Sequence, residues 1–128
     1  MLIEEKIIDI IKENLPELEE VTGSGIYNIY PGFIPDSVLP NTAIVYSLIN
    51  QTIQFTQKCS TFQIGVYSKS YREGKLIADK IVDIFNSKTY LNEGNLISSK
   101  INIVLDLSYQ AQSKLYLVAI DIFVKSKI

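Results

Sequence analysis

The 128-residue chain contains no histidine, no tryptophan and one cysteine, Cys59. These absences exclude much common chemistry. Zinc clusters, haem held through histidine, Ser-His-Asp triads and Cys-His pairs cannot be assembled within one copy. A single thiol closes no intrachain disulfide, and no basic leader with an apolar stretch and cleavage site follows Met1, so the sequence reads as that of an intracellular protein kept reduced. Arginine is scarce as well: Arg72 is alone among 12 basic residues, set against 14 acidic ones for a net charge of −2. Without the planar forks that hold phosphate and guanine bidentately, tight intrinsic nucleic-acid binding is not expected, although AT-rich coding would deplete arginine too. No apolar run reaches the roughly 20 residues needed to cross a bilayer, so no membrane partner is expected.

What is present is ordinary for a globular protein: 47% apolar and 20% charged residues. Disorder, collagen-like repeats and a long coiled coil are poor explanations of that composition. The length allows one domain, residues 1–128, which should bury roughly two thirds of the surface it exposes when unfolded.

Ile3, Ile7, Ile10 and Ile11 share one stripe, with Glu4, Glu5, Lys6, Lys12 and Glu13 elsewhere, which predicts an amphipathic helix closed by Pro16. Gly23-Ser24-Gly25 punctuates the chain, and Ile26 to Tyr30 reads as a short strand. Pro31, Gly32, Pro35 and Pro40 then impose a long irregular loop. That loop carries Phe33, Ile34, Val38 and Leu39, more apolar surface than a plain connector needs.

Thr42 to Ile49 and Thr61 to Tyr67 are rich in β-branched and aromatic residues and predict two strands. Ile53 and Phe55 alternate on odd positions, whereas Phe62, Ile64 and Val66 sit on even ones, so the parity flips near Lys58. A bulge, twist or loop must separate the two sets. The expected arrangement is a hairpin whose tip, about Asn50 to Cys59, extends beyond the sheet and exposes Ile53 and Phe55. Ser70 and Glu73 match a capping box ahead of a helical face of Ile77, Ala78, Ile81, Ile84 and Phe85. Asn86 to Asn95 is turn-like. Ile101, Ile103, Leu105 and Leu107 alternate with other residues as in a strand, and Leu115 to Lys125, apolar on both faces, reads as a central one. The order α-β-β-β-α-β-β, dominated by hairpins, gives an α+β fold: a mainly antiparallel β-sheet with two helices packed on one face.

No group of residues argues for catalysis, a cofactor or a metal site. A carboxylate on an apolar strand, as at Asp121 or Asp106, could act as a base, but with no second carboxylate or imidazole nearby in sequence a position at the sheet margin or beside an oligomer neighbour is favoured. Gly23-Ser24-Gly25 lacks the lysine and following helix of a phosphate loop and is taken as a flexible turn. Cys59 has only Lys58 beside it and is taken as inert. The eight tyrosines suit half-buried sheet positions or protein contacts better than base stacking. The apolar loop and the hairpin tip suggest a protein that works by touching other proteins.

Ile29-Tyr30-Pro31-Gly32-Phe33-Ile34-Pro35, then Ala43-Ile44-Val45-Tyr46 and Thr61-Phe62-Gln63-Ile64-Gly65-Val66-Tyr67, are similar to segments of small tail-terminator, tail-to-head joining and minor capsid proteins of tailed phages. Ser70-Tyr71 leading into Leu76-Ile77-Ala78-Asp79-Lys80-Ile81 resembles that family's strand-to-helix junction, and Tyr116 to Ile122 its final strand. The likeness is one of apolar positions and turns and runs over nearly the whole chain. It implies a non-enzymatic virion protein of a phage or prophage, assembled in the bacterial host cytoplasm and placed at the tail end or head–tail junction. Such a protein forms a ring, typically a hexamer, closed by heterologous contacts between copies. Its further partners would be the tail tube and the head-completion or connector proteins, with DNA only as cargo passing through the lumen. Phe33, Ile34, Val38, Leu39, Ile53 and Phe55 are the candidate interface residues. The competing expectation is a small α+β binding domain, or an enzyme subunit whose site a partner completes.

Overall fold

The computed structural model describes residues 3–14, 28–31, 42–91, 94–110 and 114–127. Helix α1 spans Ile3–Glu13, with Ile7, Ile8, Ile10 and Ile11 buried. Helix α2 spans Tyr71–Phe85 and buries Gly74, Ile77, Ala78, Ile81 and Phe85. Both put isoleucines three and four residues apart, so each has one apolar stripe and must cover something with it. What they cover is a sheet of β1 (Asn28–Pro31), β2 (Thr42–Gln54), β3 (Gln57–Ser68), β4 (Lys88–Thr89), β5 (Leu96–Gln110) and β6 (Leu115–Lys127). The strand order is β1-β2-β3-β6-β5-β4. Only β1 against β2 is parallel; the remaining pairs are antiparallel. The α+β architecture expected from the sequence is the one found, with β4 added inside the segment read as a turn.

The core lies between the helices and the two central strands. Phe62, Ile64 and Val66 of β3 stand opposite Ile122, Ile120 and Val118 of β6. All six are buried, in one cluster with Ile7, Ile11, Ile77, Ile81 and Phe85. Each such side chain contributes about 1.5–3 kcal/mol by leaving water. Pairing on both sides makes β6 central, as its two apolar faces predict.

Local devices position the helices. The Ser70 hydroxyl accepts from the Glu73 backbone N–H at 3.3 Å, which is the forward half of the expected capping box. At the other end of α2, the Ser99 hydroxyl donates to the Phe85 carbonyl at 2.8 Å, satisfying one of the helix's last carbonyl groups and tying it to β5.

Two expectations need correction. The β2–β3 hairpin does not project beyond the sheet: its ladder runs to Gln54 opposite Gln57, and β6 follows β3 to Lys127 opposite Gln57. Only the turn residues Phe55 and Thr56 lie past the ladder. The parity conflict is resolved by the two-residue turn Phe55-Thr56, which sets Gln54 opposite Gln57 and Ile53 opposite Lys58; a separate bulge at Ile49, between Leu48 and Asn50, exchanges the faces earlier in β2. In β5, Ile101, Ile103, Leu105 and Leu107 do not share a face. Register shifts leave Ile97, Asn102 and Leu107 as extra residues, so the 15 residues of β5 oppose only Leu115 to Ser126 of β6. Ile101, Val104, Asp106 and Tyr109, opposite Ile122, Ile120, Val118 and Tyr116, look toward the helices. Ile103 and Leu105, opposite Asp121 and Ala119, look the other way.

Candidate assembly surfaces

Two of the six residues singled out from the sequence lie at the β2–β3 turn. Ile53 is 64% exposed and Phe55 fully exposed. Phe55 also has φ = +56°, the left-handed region that glycine adopts readily and residues with a β-carbon seldom do. The two-residue turn between Gln54 and Gln57 calls for φ > 0 at its first residue, a conformation that costs a non-glycine residue about 1–2 kcal/mol, and there the large apolar side chain stands in water. Phe33, Ile34, Val38 and Leu39 lie outside the described residues, as does Gly23-Ser24-Gly25.

A second surface was not legible in the sequence. Beyond Ser99, the last residue paired with β4, β5 has β6 on one side and no strand on the other among the described residues. This stretch exposes Ile103, Val104, Leu105, Leu107 and Tyr109. From Ile101 to Gln110 it contains no lysine and no proline, the usual guards of an open strand edge. The bulges turn apolar residues toward both faces of the edge, which the apparent alternation concealed.

The edge is braced by a polar and aromatic knot. The Tyr71 hydroxyl, at the start of α2, donates to Asp106 Oδ2. The Ser108 backbone N–H donates to Asp106 Oδ1 at 3.0 Å. Tyr116 packs edge-on against Tyr71 and Tyr109, with ring centroids 5.6 and 5.3 Å away. The hydrogen bond from Tyr71, helped by the Ser108 N–H and the Lys75 ammonium, holds the Asp106 carboxyl below its ordinary value. The same bond, with burial and the carboxylate charge, pushes the Tyr71 hydroxyl up. Asp106 therefore gains stability from the bond above the ordinary carboxylate range and loses it as pH falls through its depressed value. Tyr71 gains it below the ordinary tyrosine range and loses it as pH rises through its raised value. Thermal melts should show wild type ahead of Tyr71→Phe between those limits, with the gap closing at both ends. A gap independent of pH would show that the bond contributes nothing.

The residues weighed for catalysis are not brought together. Asp121 is in the central strand rather than at the sheet margin, half-buried, and accepts from Gln63 Nε2 at 3.3 Å. Cys59 is buried in β3. Among the described residues no three His, Cys, Asp or Glu side chains are placed to hold a metal ion. A recess of about 400 Å³ beside the start of α1 is lined partly by Glu4, Lys6, Lys58 and Lys127, and contains neither Asp106, Asp121 nor Cys59. No helix among the described residues is long and apolar enough to cross a membrane.

No family model matches the chain, and no curated protein matches it. Its fold is similar to that of a chain in a solved structure described as the virion of a native gene transfer agent (GTA) particle. The TM-score is 0.68 at 13% sequence identity, covering 95% of this chain and 92% of that one.

Proposed function

We propose that residues 1–128 form a single-domain, non-enzymatic structural protein of a phage or phage-like particle. Its copies close into a ring, a hexamer in the typical case, at the tail end or head–tail junction. There the ring terminates the tail and joins it to the head. The observation carrying this reading is the whole-length fold likeness to a chain of a gene transfer agent virion, which agrees with the tail-terminator resemblance of the sequence. The two apolar surfaces give the reading its physical content. A ring needs two different complementary patches per copy, and the β5 edge and the β2–β3 turn are the two apolar surfaces offered for that role. The tail tube and a head-completion protein are the proposed neighbours beyond the ring, with Phe33, Ile34, Val38 and Leu39 as further candidate contacts.

Mass photometry over a wide concentration range, followed by negative-stain microscopy with tail tubes, tests the ring. A monomer at every concentration, with no ring on tubes, would overturn it. Phe55→Glu should leave the circular dichroism spectrum and melting temperature unchanged, because the side chain touches no core, while ring formation or tube docking falls at least tenfold. An unfolded Phe55→Glu variant would instead place the turn in the core. Particles from a deletion strain separate the finer roles: overlong or headless tails are expected of a missing terminator, and normal tails exclude that role.

A further inference from the structure

The strand segments 50–63, 87–91, 96–102 and 122–127 contain Lys58, Lys88, Lys100, Lys125 and Lys127 and no carboxylate, in a chain of net charge −2. Three of these lysines share one groove of about 640 Å³. Register explains the convergence. Lys88 of β4 stands beside Ser99, Lys125 of β6 beside Ser98, and Lys100 of β5 opposite Phe123. Lys100 Nζ lies 5.2 Å from the centre of the Phe123 ring, whose face holds the ammonium in place without neutralising it. The hydroxyls of Thr52, Thr89 and Ser98 join the lining, and among the described residues no aspartate or glutamate does. Asp83 shares a separate depression with Lys88, so Lys100 and Lys125 carry most of the groove's charge.

We propose that this groove takes the phosphate backbone of a nucleic acid without reading its bases. Ammonium groups and hydroxyls suit phosphate oxygens on any sequence, whereas base readout leans on arginine forks that the groove lacks. Point charges spread over three strands give a weak, salt-sensitive grip, suited to a duplex that passes rather than one that is retained. The choice of nucleic acid over another polyanion rests on the ring reading above, in which DNA is the cargo.

Fluorescence anisotropy of a short mixed-sequence duplex with the full chain tests this. Neutralising two to three phosphates gives a logarithmic salt slope of about −1.8 to −2.7, so affinity should fall about 12- to 40-fold between 50 and 200 mM salt. Lys100→Glu with Lys125→Glu should weaken binding at least tenfold and flatten the slope. The milder Lys100→Gln with Lys125→Gln, also at exposed positions, should do so in part if the first pair disturbs folding. Absence of binding at 50 mM salt, unchanged binding in both variant pairs, or stronger competition by polyglutamate than by unlabelled DNA would overturn the proposal, the last in favour of an acidic protein. Ring mass is read on the same samples. Rings without DNA affinity defeat this inference alone, and DNA-binding monomers defeat the ring alone.

Discussion

Ile120→Ala is expected to destabilise the protein by about 2–5 kcal/mol. The side chain is fully buried in β6, with Ile64 of β3 on one side and Val104 of β5 on the other. Its face is also the one that Ile77 and Ile81 of α2 help to close. Truncation removes three methyl or methylene groups from water-free packing and leaves a cavity that two hydrogen-bonded neighbouring strands cannot collapse to fill. Urea denaturation measures the difference. A loss below about 1 kcal/mol would mean that the centre of the sheet relaxes freely, which close packing there forbids. Because folded domains are stable by only about 5–15 kcal/mol, the variant should sit near the edge of folding at growth temperature.

The other large effect concerns association. Ile103→Lys together with Leu105→Lys puts two charges on one exposed flank of β5 while leaving the core untouched. Melting should change by the equivalent of no more than about 0.5 kcal/mol per site, as for ordinary surface positions. Assembly, in contrast, should collapse to monomer, because buried unpaired ammonium groups are among the costliest features an interface can contain. Mass photometry distinguishes the cases. Rings of full mass in this variant would remove the β5 edge from the contact and leave the hairpin turn and the segment around Phe33 to Leu39.

Both experiments draw on features the sequence displayed unequally. Local signals were legible: isoleucines at helical spacing in α1 and α2, the Ser70 cap, the two-faced apolar run of β6. The hairpin parity conflict also pointed correctly to a loop between the two sets, the turn at Phe55 and Thr56, whereas the bulge at Ile49 lies outside the interval that the conflict marks. Long-range arrangement was not legible. That β6 follows β3 to its first residue, and so holds the hairpin against the sheet, depends on pairing across about 70 residues of chain, from Gln57 to Lys127, which no local pattern encodes. The β5 surface escaped for a related reason. Ile101 to Leu107 mimics a regular one-faced strand, and only the partner register reveals residues that fall out of step. Exposed Phe55, by contrast, was found from sequence because no regular strand could place it with Phe62.

The three out-of-step residues of β5, Ile97, Asn102 and Leu107, recur at intervals of five. Each adds local right-handed coil, so the strand winds like a shallow screw thread rather than a straight rail. Indefinite stacking into fibrils demands straight, repeating rails, and a threaded one admits only a mate cut to the same pitch. A border that no described strand covers is thereby less open to indiscriminate edge-to-edge pairing than a flat one would be.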